Sequence, residues 1–145
     1  KRHRLHEHYS ENLHSMDERL MAAIQGVAVP GSVTHGIAKQ LEAYMGWLDH
    51  PDVYTVRYED LIHNQRQTLE AMTDHFLKRI ATLPNPREEI VTGLETSINP
   101  SRSPTFRSGK TGEWKEHFTD EHKRVFKEVA GDLLIRLGYE SNDDW

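Results

Sequence analysis

The sequence predicts an α/β protein in which helices dominate. About five stretches place apolar residues at helical spacing, and one short stretch, 53–58, is rich in β-branched and aromatic residues and follows a turn. Hydrophobic residues make up 36% of the chain, which is enough for a core and excludes a wholly disordered protein. Because a single strand cannot form a sheet, we expect the partner strands to come from outside these residues.

The N-terminal part predicts two helices. Ser15 and Glu18 have the form of a capping box, in which the serine hydroxyl caps a backbone amide and the glutamate reaches back, so the first helix begins there. Gly26 suits its end, and residues 27–32 predict a loop. The second helix is expected over about 34–49, where Ile37 and Leu41 begin an apolar face, and the turn at 50–52 ends it before the predicted strand.

Three further helices follow the strand. The third is expected over about 64–80, and the fourth runs to about 96 from Asn85, an N-cap residue that precedes Pro86. The last begins near Thr119 and continues to Gly138. Between the fourth and the last, residues 97–113 are rich in Ser, Thr, Pro and Gly and predict a long loop. Long loops in compact domains are uncommon and often functional.

Charge and composition exclude several classes of function. The formal net charge of −5 disfavours nucleic-acid binding, which relies on cations that neutralise phosphates. No apolar run approaches the roughly 20 residues that a membrane helix needs. The chain has 0 Cys, so it offers no disulfide, no thiolate metal site and no cysteine nucleophile. We therefore expect a soluble, cytoplasmic protein that has no membrane span and does not bind nucleic acid.

The loop carries the candidate chemistry. From Ser101 to Gly112 it contains Arg102, Arg107 and Lys110 and no acid. Residues 107–109, Arg-Ser-Gly, combine a guanidinium group, a hydroxyl donor and a glycine that lets the backbone approach a ligand, which are the parts of a phosphate receptor. Residues 109–111 resemble the end of a Walker phosphate loop, but Pro104 stands where that pattern requires glycine, so we reject it.

Ten histidines and one carboxylate pair are weaker candidates. A metal could in principle meet the N-terminal histidines, and a histidine could be a general base, but we expect no metal site and assign no catalytic residue. Glu59 and Asp60 are adjacent and leave the predicted strand in different directions, so we expect them to be structural rather than a cooperating pair. The histidines considered are His3, His6, His8, His14, His35 and His117.

Three motifs resemble the sulfotransferases that use 3′-phosphoadenosine 5′-phosphosulfate (PAPS). Residues 107–119, Arg-Ser-Gly-Lys-Thr-Gly-Glu-Trp-Lys-Glu-His-Phe-Thr, are similar to the C-terminal signature of that family. Residues 56–61, Val-Arg-Tyr-Glu-Asp-Leu, resemble the family's strand that ends in Tyr-Glu-Asp-Leu. Residues 96–98, Thr-Ser-Ile, are similar to the Thr-Ser-Phe that closes a helix between the two. The order of the three motifs is also that of the family.

The resemblance implies a P-loop NTPase-like three-layer fold and transfer of a sulfuryl group from PAPS to a hydroxyl or amine. Two groups of residues would bind the cofactor or its product, adenosine 3′,5′-bisphosphate (PAP). The residues that contact the 3′-phosphate would be Arg107, Ser108 and Gly109, and those that line the adenine would be Tyr58, Thr96 and Phe106. Trp114 and Phe118 are expected to pack the loop onto the core.

Several features depart from the family pattern. Ser108 stands where the family usually has Lys, and Asp120 and Arg124 break its common dimer motif, so we do not predict that dimer. The phosphosulfate loop and the Arg/Ser pair of the family's N-terminal half have no counterpart here. We therefore expect residues 1–145 to be the C-terminal part of one sulfotransferase domain, with the N-terminal half as a partner and negligible turnover alone.

Two other interpretations stay open. The chain could be a non-catalytic helical interaction domain whose basic loop is solvated, or a kinase-like nucleotide binder of the same broad fold. Preference for adenosine 3′,5′-bisphosphate over adenosine 5′-phosphate distinguishes a sulfotransferase from both. The class of the small-molecule acceptor is not encoded in any motif of this sequence.

Overall fold

A computed structural model describes residues 2–79, 85–104, 106 and 108–145, with side chains described from residue 5 onwards. The chain forms two compact units. The first, which we call the terminal unit, comprises Lys1–Trp47 and Glu113–Trp145, and the second, the central unit, comprises Leu48–Gly112. The loop predicted to bind phosphate belongs to the central unit.

Helices account for most of the regular structure. In chain order the elements are α1 (Arg2–Glu7), a π-helical turn (His8–Asn12), α2 (Met16–Gln25), β1 (Gly26–Val29), β2 (Ser32–His35), α3 (Ile37–Leu48), α4 (Tyr58–His63), α5 (Gln65–Leu77), α6 (Arg87–Ser97), a 3₁₀ turn (Pro100–Arg102), α7 (Trp114–His117), α8 (Asp120–Ala130) and α9 (Leu133–Arg136).

The predicted capping box at α2 is confirmed. The Ser15 hydroxyl accepts a hydrogen bond from the Glu18 amide at 3.1 Å, and the Glu18 carboxylate accepts one from the Ser15 amide at 3.1 Å. Hydrogen bonds from the amides of Ser15 and His14 lower the pKa of the Glu18 carboxyl. The capping box satisfies amides that the first turn of a helix leaves unpaired. Ser15 and Glu18 therefore fix where α2 begins.

The loop predicted at 27–32 is wrong in extent. Only Pro30 and Gly31 form the turn, and β1 and β2 flank it as an antiparallel hairpin in which Gly26 pairs with His35. Gly26 has φ +90°, and a side chain there would place its Cβ 2.6 Å from the Thr34 carbonyl oxygen. The hairpin therefore depends on a close backbone approach that only glycine allows.

The strand predicted at 53–58 does not form within the described chain. Residues 53–57 have no regular secondary structure, and Tyr58 is the first residue of α4. The sheet that the structure shows is instead the two-stranded hairpin, so it contains no strand from this stretch. A strand exists only when a neighbour accepts and donates its backbone hydrogen bonds, and no described segment does so for residues 54–56.

Four predicted helices differ from the structure at their ends. The second begins at Ile37 rather than at about 34, because Thr34 and His35 lie in β2. The third begins at Gln65 rather than Asn64, follows the separate helix α4 and ends at Leu77, while Ile80, its predicted end, lies outside the described residues. Pro86, not Asn85, is the N-cap of α6, because the Asn85 amide contacts the Glu89 carboxylate at 3.4 Å instead. The last helix is interrupted after Ala130, so α8 and α9 replace one continuous helix.

The two units have separate cores. The terminal unit buries an apolar cluster from α2, α8 and α9, and side chains of α3 pack against it. That cluster consists of Ile24, Val125, Phe126 and Leu133. In the central unit, α5 and α6 bury Leu69, Thr73 and Val91, and the side chain of Val91 is 0% exposed. Each unit therefore positions its own surface loops.

Candidate functional site

The loop that follows α6 begins with a short ordered turn. The Asn99 side-chain oxygen accepts hydrogen bonds from the Ser101 amide at 3.1 Å and from the Ser101 hydroxyl at 2.6 Å. This cap starts the 3₁₀ turn Pro100–Arg102, after which the described residues up to Gly112 form no helix or strand. The loop is thus held at its start by side-chain hydrogen bonds and its later part has an irregular backbone.

The centre of the loop is folded tightly around Gly109. Gly109 has φ +66°, and a side chain at this position would place its Cβ 3.0 Å from the Phe106 ring. The Ser108 hydroxyl accepts a hydrogen bond from the Lys110 amide at 3.4 Å. Of the predicted phosphate ligands, Ser108 and Gly109 therefore lie in one turn against Phe106, while Arg107 lies outside the described residues.

The three residues predicted to line adenine lie on separate parts of the central unit. Tyr58 begins α4 and Phe106 lies in the loop, and each side chain is 49% exposed. Thr96 lies in the last turn of α6, where its hydroxyl donates to the Thr92 and Gly93 carbonyl oxygens, at 3.0 and 3.1 Å. Because the Thr96 hydroxyl already donates its hydrogen bond within α6, it can only accept one from a ligand.

One contact that the sequence did not predict joins α4 to the loop. The Nε2 atom of His63, the last residue of α4, lies 3.1 Å from the Thr111 hydroxyl. The helix α4 is itself tied to α5, because the Thr68 hydroxyl donates to the Asp60 carbonyl oxygen at 3.1 Å. The structure thus brings together the helix that carries Tyr58 and the end of the basic loop.

Charges in the central unit are distributed unevenly. Arg66 pairs with Glu88 and Glu95, Arg79 pairs with Asp52, and Arg87 pairs with Asp74. The hydrogen bond from Arg87 lowers the pKa of the Asp74 carboxyl and raises the pKa of its own guanidinium. These pairs involve α5, α6, Arg79 just after α5 and the turn before residue 53, and none of the partners belongs to the loop segment 101–112.

The loop cations differ from these paired arginines. Arg102 and Lys110 are exposed, and neither forms an ion pair with a carboxylate that the structure describes. The loop segment 101–112 also has no acid of its own. A dianionic ligand can therefore approach this turn without displacing an existing ion pair, and each contact it makes there is charge-assisted.

A small polar pocket lies elsewhere in the central unit. It has a volume of about 260 Å³ and lies between residues 54–56, the end of α4 and the start of α5, with Asp60, Asn64 and Thr68 among its lining residues. The Tyr54 ring, at its edge, stacks against His75 with ring centroids 5.3 Å apart. No aliphatic cluster lines this pocket, so it suits a polar group rather than an apolar one.

His122, Trp114 and Phe118 contribute to packing within the terminal unit. Buried His122 lies 2.8 Å from the Thr119 hydroxyl and 3.2 Å from the Asp17 carbonyl oxygen, which joins the start of α8 to α2. Phe118 packs against the apolar cluster and contacts Trp114, with ring centroids 5.5 Å apart. Within the described part of the chain, no group of three or more His, Asp or Glu side chains could hold a metal ion.

Comparison with known proteins identifies the family. A family model described as the sulfotransferase domain matches residues 3–138, which is nearly the whole chain. The chain therefore belongs to the sulfotransferase family. No curated protein and no solved structure gives a significant match. Among the helices that the structure describes, none is long and apolar enough to cross a bilayer.

Proposed function

We propose that this chain supplies the adenine and 3′-phosphate contacts of a PAPS-dependent sulfotransferase. Membership of the family supports sulfuryl transfer in general. The observation that carries the finer proposal is the loop, whose described cations, Arg102 and Lys110, have no carboxylate partner among the described residues, whereas Arg66 and Arg87 do. Cations kept apart from acids on an irregular turn favour an anionic ligand.

The phosphate would lie against the turn at 107–110. Arg107 would supply a guanidinium fork and Ser108 a hydroxyl, and Gly109, with its positive φ and no side chain, would let backbone amides approach the phosphate. Lys110 replaces the cation that the family usually has where this chain has Ser108. A 3′-phosphate carries up to two negative charges, so two cations and a set of amides are a suitable receptor for it.

The adenine base would lie against the exposed aromatic rings. Tyr58 and Phe106 each leave about half of the side chain accessible, and an aromatic ring stacks on any base with a free energy of about 1–3 kcal/mol. The Thr96 hydroxyl, which acts only as an acceptor, suits the exocyclic amine of adenine. When bound, PAPS supplies the sulfuryl group that passes to a hydroxyl or amine, and residues of this chain bind and orient it.

The same proposal gives residues 53–57 a role. Their composition favours a strand, and residues 54–56 form no ladder with a strand that the structure describes. We propose that they pair with the sheet of the family's N-terminal half, in the P-loop-like three-layer fold. That half would also supply the group that neutralises the leaving phosphate oxygen, since none of the candidate residues of this chain is assigned that task.

Calorimetry on the intact protein tests the proposal. Adenosine 3′,5′-bisphosphate should bind more tightly than adenosine 5′-phosphate, and Arg107→Ala should weaken only the bisphosphate, by about tenfold to a hundredfold for one charged hydrogen-bonding group. Lys78→Ala, which removes an exposed cation of the same unit outside the loop, is the matched control. Equal affinity for both nucleotides would favour a kinase-like binder, and no binding a helical interaction domain.

A further inference from the structure

We propose that His63 is a positioning residue for the phosphate-binding turn and acts through Thr111. This inference rests on the proposed function of the loop. The contact between the His63 Nε2 atom and the Thr111 hydroxyl, at 3.1 Å, joins residues 48 positions apart in the chain. Thr111 directly follows Lys110, so a hydrogen bond at its side chain constrains the backbone that presents both the lysine and the amide of Gly109.

The loop needs such a constraint from outside. Residues 108–112, all of which are described, belong to no helix or strand, and Gly109 within them has φ +66°. Glycine loses more conformational freedom on folding than any other residue, so this stretch gains no rigidity from its own backbone. A hydrogen bond to a side chain on a helix restricts the loop backbone, which no helix or strand of its own holds in place.

The helix that carries His63 is well anchored. Its Asp60 carbonyl oxygen accepts hydrogen bonds from the Asn64 amide at 2.8 Å and from the Thr68 hydroxyl at 3.1 Å, so α4 is fastened to the start of α5. The same helix begins with Tyr58, the proposed adenine contact. His63 therefore fixes the phosphate-binding turn relative to the residue that stacks on the base, and a nucleotide with both groups benefits from that fixed spacing.

The two side chains permit matched variants. His63→Ala removes the ring, whereas His63→Gln keeps a polar nitrogen at similar reach. Thr111→Val removes the hydroxyl and keeps the branched shape, whereas Thr111→Ser keeps the hydroxyl. Because Thr111 lies in an irregular loop, its variants should leave the fold intact even where those of His63 do not. His50→Ala, in the turn after α3, is a control for the loss of a histidine from the same unit.

Titration calorimetry on the intact protein gives the test. His63→Ala and Thr111→Val should each weaken adenosine 3′,5′-bisphosphate binding by about tenfold, the effect of one hydrogen bond, and leave adenosine 5′-phosphate binding unchanged. The double variant should be no weaker than either single one, because both remove the same contact. His63→Gln and Thr111→Ser should restore most of the affinity, and His50→Ala should not change it.

The outcomes separate this inference from the proposed function. If the unaltered protein binds both nucleotides equally, the proposed function of the loop is wrong. If it prefers the bisphosphate and His63→Ala and Thr111→Val keep that preference, the loop binds phosphate without His63 and the inference is overturned. Additive losses in the double variant, or equal losses for both nucleotides, would also overturn it, since they indicate independent or general structural effects.

Discussion

The two units of this chain are stabilised in different ways. The terminal unit buries an apolar cluster from three helices, extended by α3 and by Trp145, whose ring lies 5.7 Å from that of Phe126. The central unit buries few apolar side chains, and its helices α5 and α6 are joined at the surface by ion pairs of Arg66 and Arg87. Apolar burial contributes far more free energy than exposed ion pairs.

Both units nevertheless leave large apolar side chains accessible. The central unit leaves large apolar side chains accessible on α4, α6 and the loop, among them Tyr58, Ile62, Leu94, Ile98 and Phe106. Such side chains are available to a nucleotide base or to another segment of the protein. The terminal unit buries Phe126 of α8 in its own core but leaves Tyr44 and Trp47 of α3 61% and 62% exposed, so the candidate site rests on the basic loop and the family motifs rather than on apolar exposure.

Truncation of the terminal core should have the largest effect. Phe126→Ala removes a ring that is only 8% exposed, and we expect it to lower the free energy of unfolding by about 3–5 kcal/mol. Val129→Ala on the same helix, where the side chain is 41% exposed, should change it by less than about 0.5 kcal/mol. Urea denaturation followed by circular dichroism measures both, and similar losses would contradict the core assigned to this unit.

Truncation of the central core should have a smaller and more local effect. Leu69→Ala opens a cavity between α5 and α6, and we expect a loss of about 2–3 kcal/mol. Hydrogen exchange should show reduced amide protection in α5 and α6 and unchanged protection in α8. An equal loss of protection in α8 would mean that the two units unfold as one and that their stabilities are not separate.

Acid should destabilise the central unit through its ion pairs. Of the three predicted effects on stability, this one should be the smallest. The hydrogen bond from Arg87 lowers the pKa of the Asp74 carboxyl below its ordinary value of 3.8. The stabilisation is therefore complete above that value and is lost as the pH falls through the lower, folded-state pKa. The urea midpoint of the unaltered protein should fall between about pH 5 and about pH 2, and the part of this fall that comes from the ion pair should be absent in Asp74→Asn.

A control isolates the pair from general acid effects. Asp120→Asn, an exposed carboxyl of α8 that forms no ion pair with a described residue, should leave the acid-induced change intact. Because Arg87 and Asp74 are both exposed, their pairing is screened by solvent and salt, and added salt should reduce the difference between Asp74→Asn and the unaltered protein. A salt-independent difference would contradict the ion-pair explanation.

The sequence was most informative where the determinants are local. The capping box at Ser15 and Glu18 follows from neighbouring residues, and the structure confirms it. The strand predicted at 53–58 depends on partner backbone that the described residues do not offer, so its propensity alone does not make these residues a strand in this chain. The hairpin at 26–35 was missed because a Pro-Gly turn identifies a loop more readily than it identifies short flanking strands.

The same distinction applies to the candidate site. The basic, acid-free character of residues 101–112 is visible in the sequence, and so is the family signature that the family match supports. The contact between His63 and Thr111 is not, because it joins residues 48 positions apart in the chain and no motif of the sequence pairs them. The role of Arg107 in binding phosphate stays a prediction, as do the roles of the other five site residues.

Nuclear magnetic resonance with two nucleotides tests the central claim most directly. On the intact protein, adenosine 3′,5′-bisphosphate and adenosine 5′-phosphate should both shift the amide resonances of Tyr58 and Thr96, since both carry the base. Only the bisphosphate should shift those of Ser108, Gly109 and Lys110, because only it has a 3′-phosphate for the turn to bind. Unchanged loop resonances in the presence of saturating bisphosphate would contradict the account.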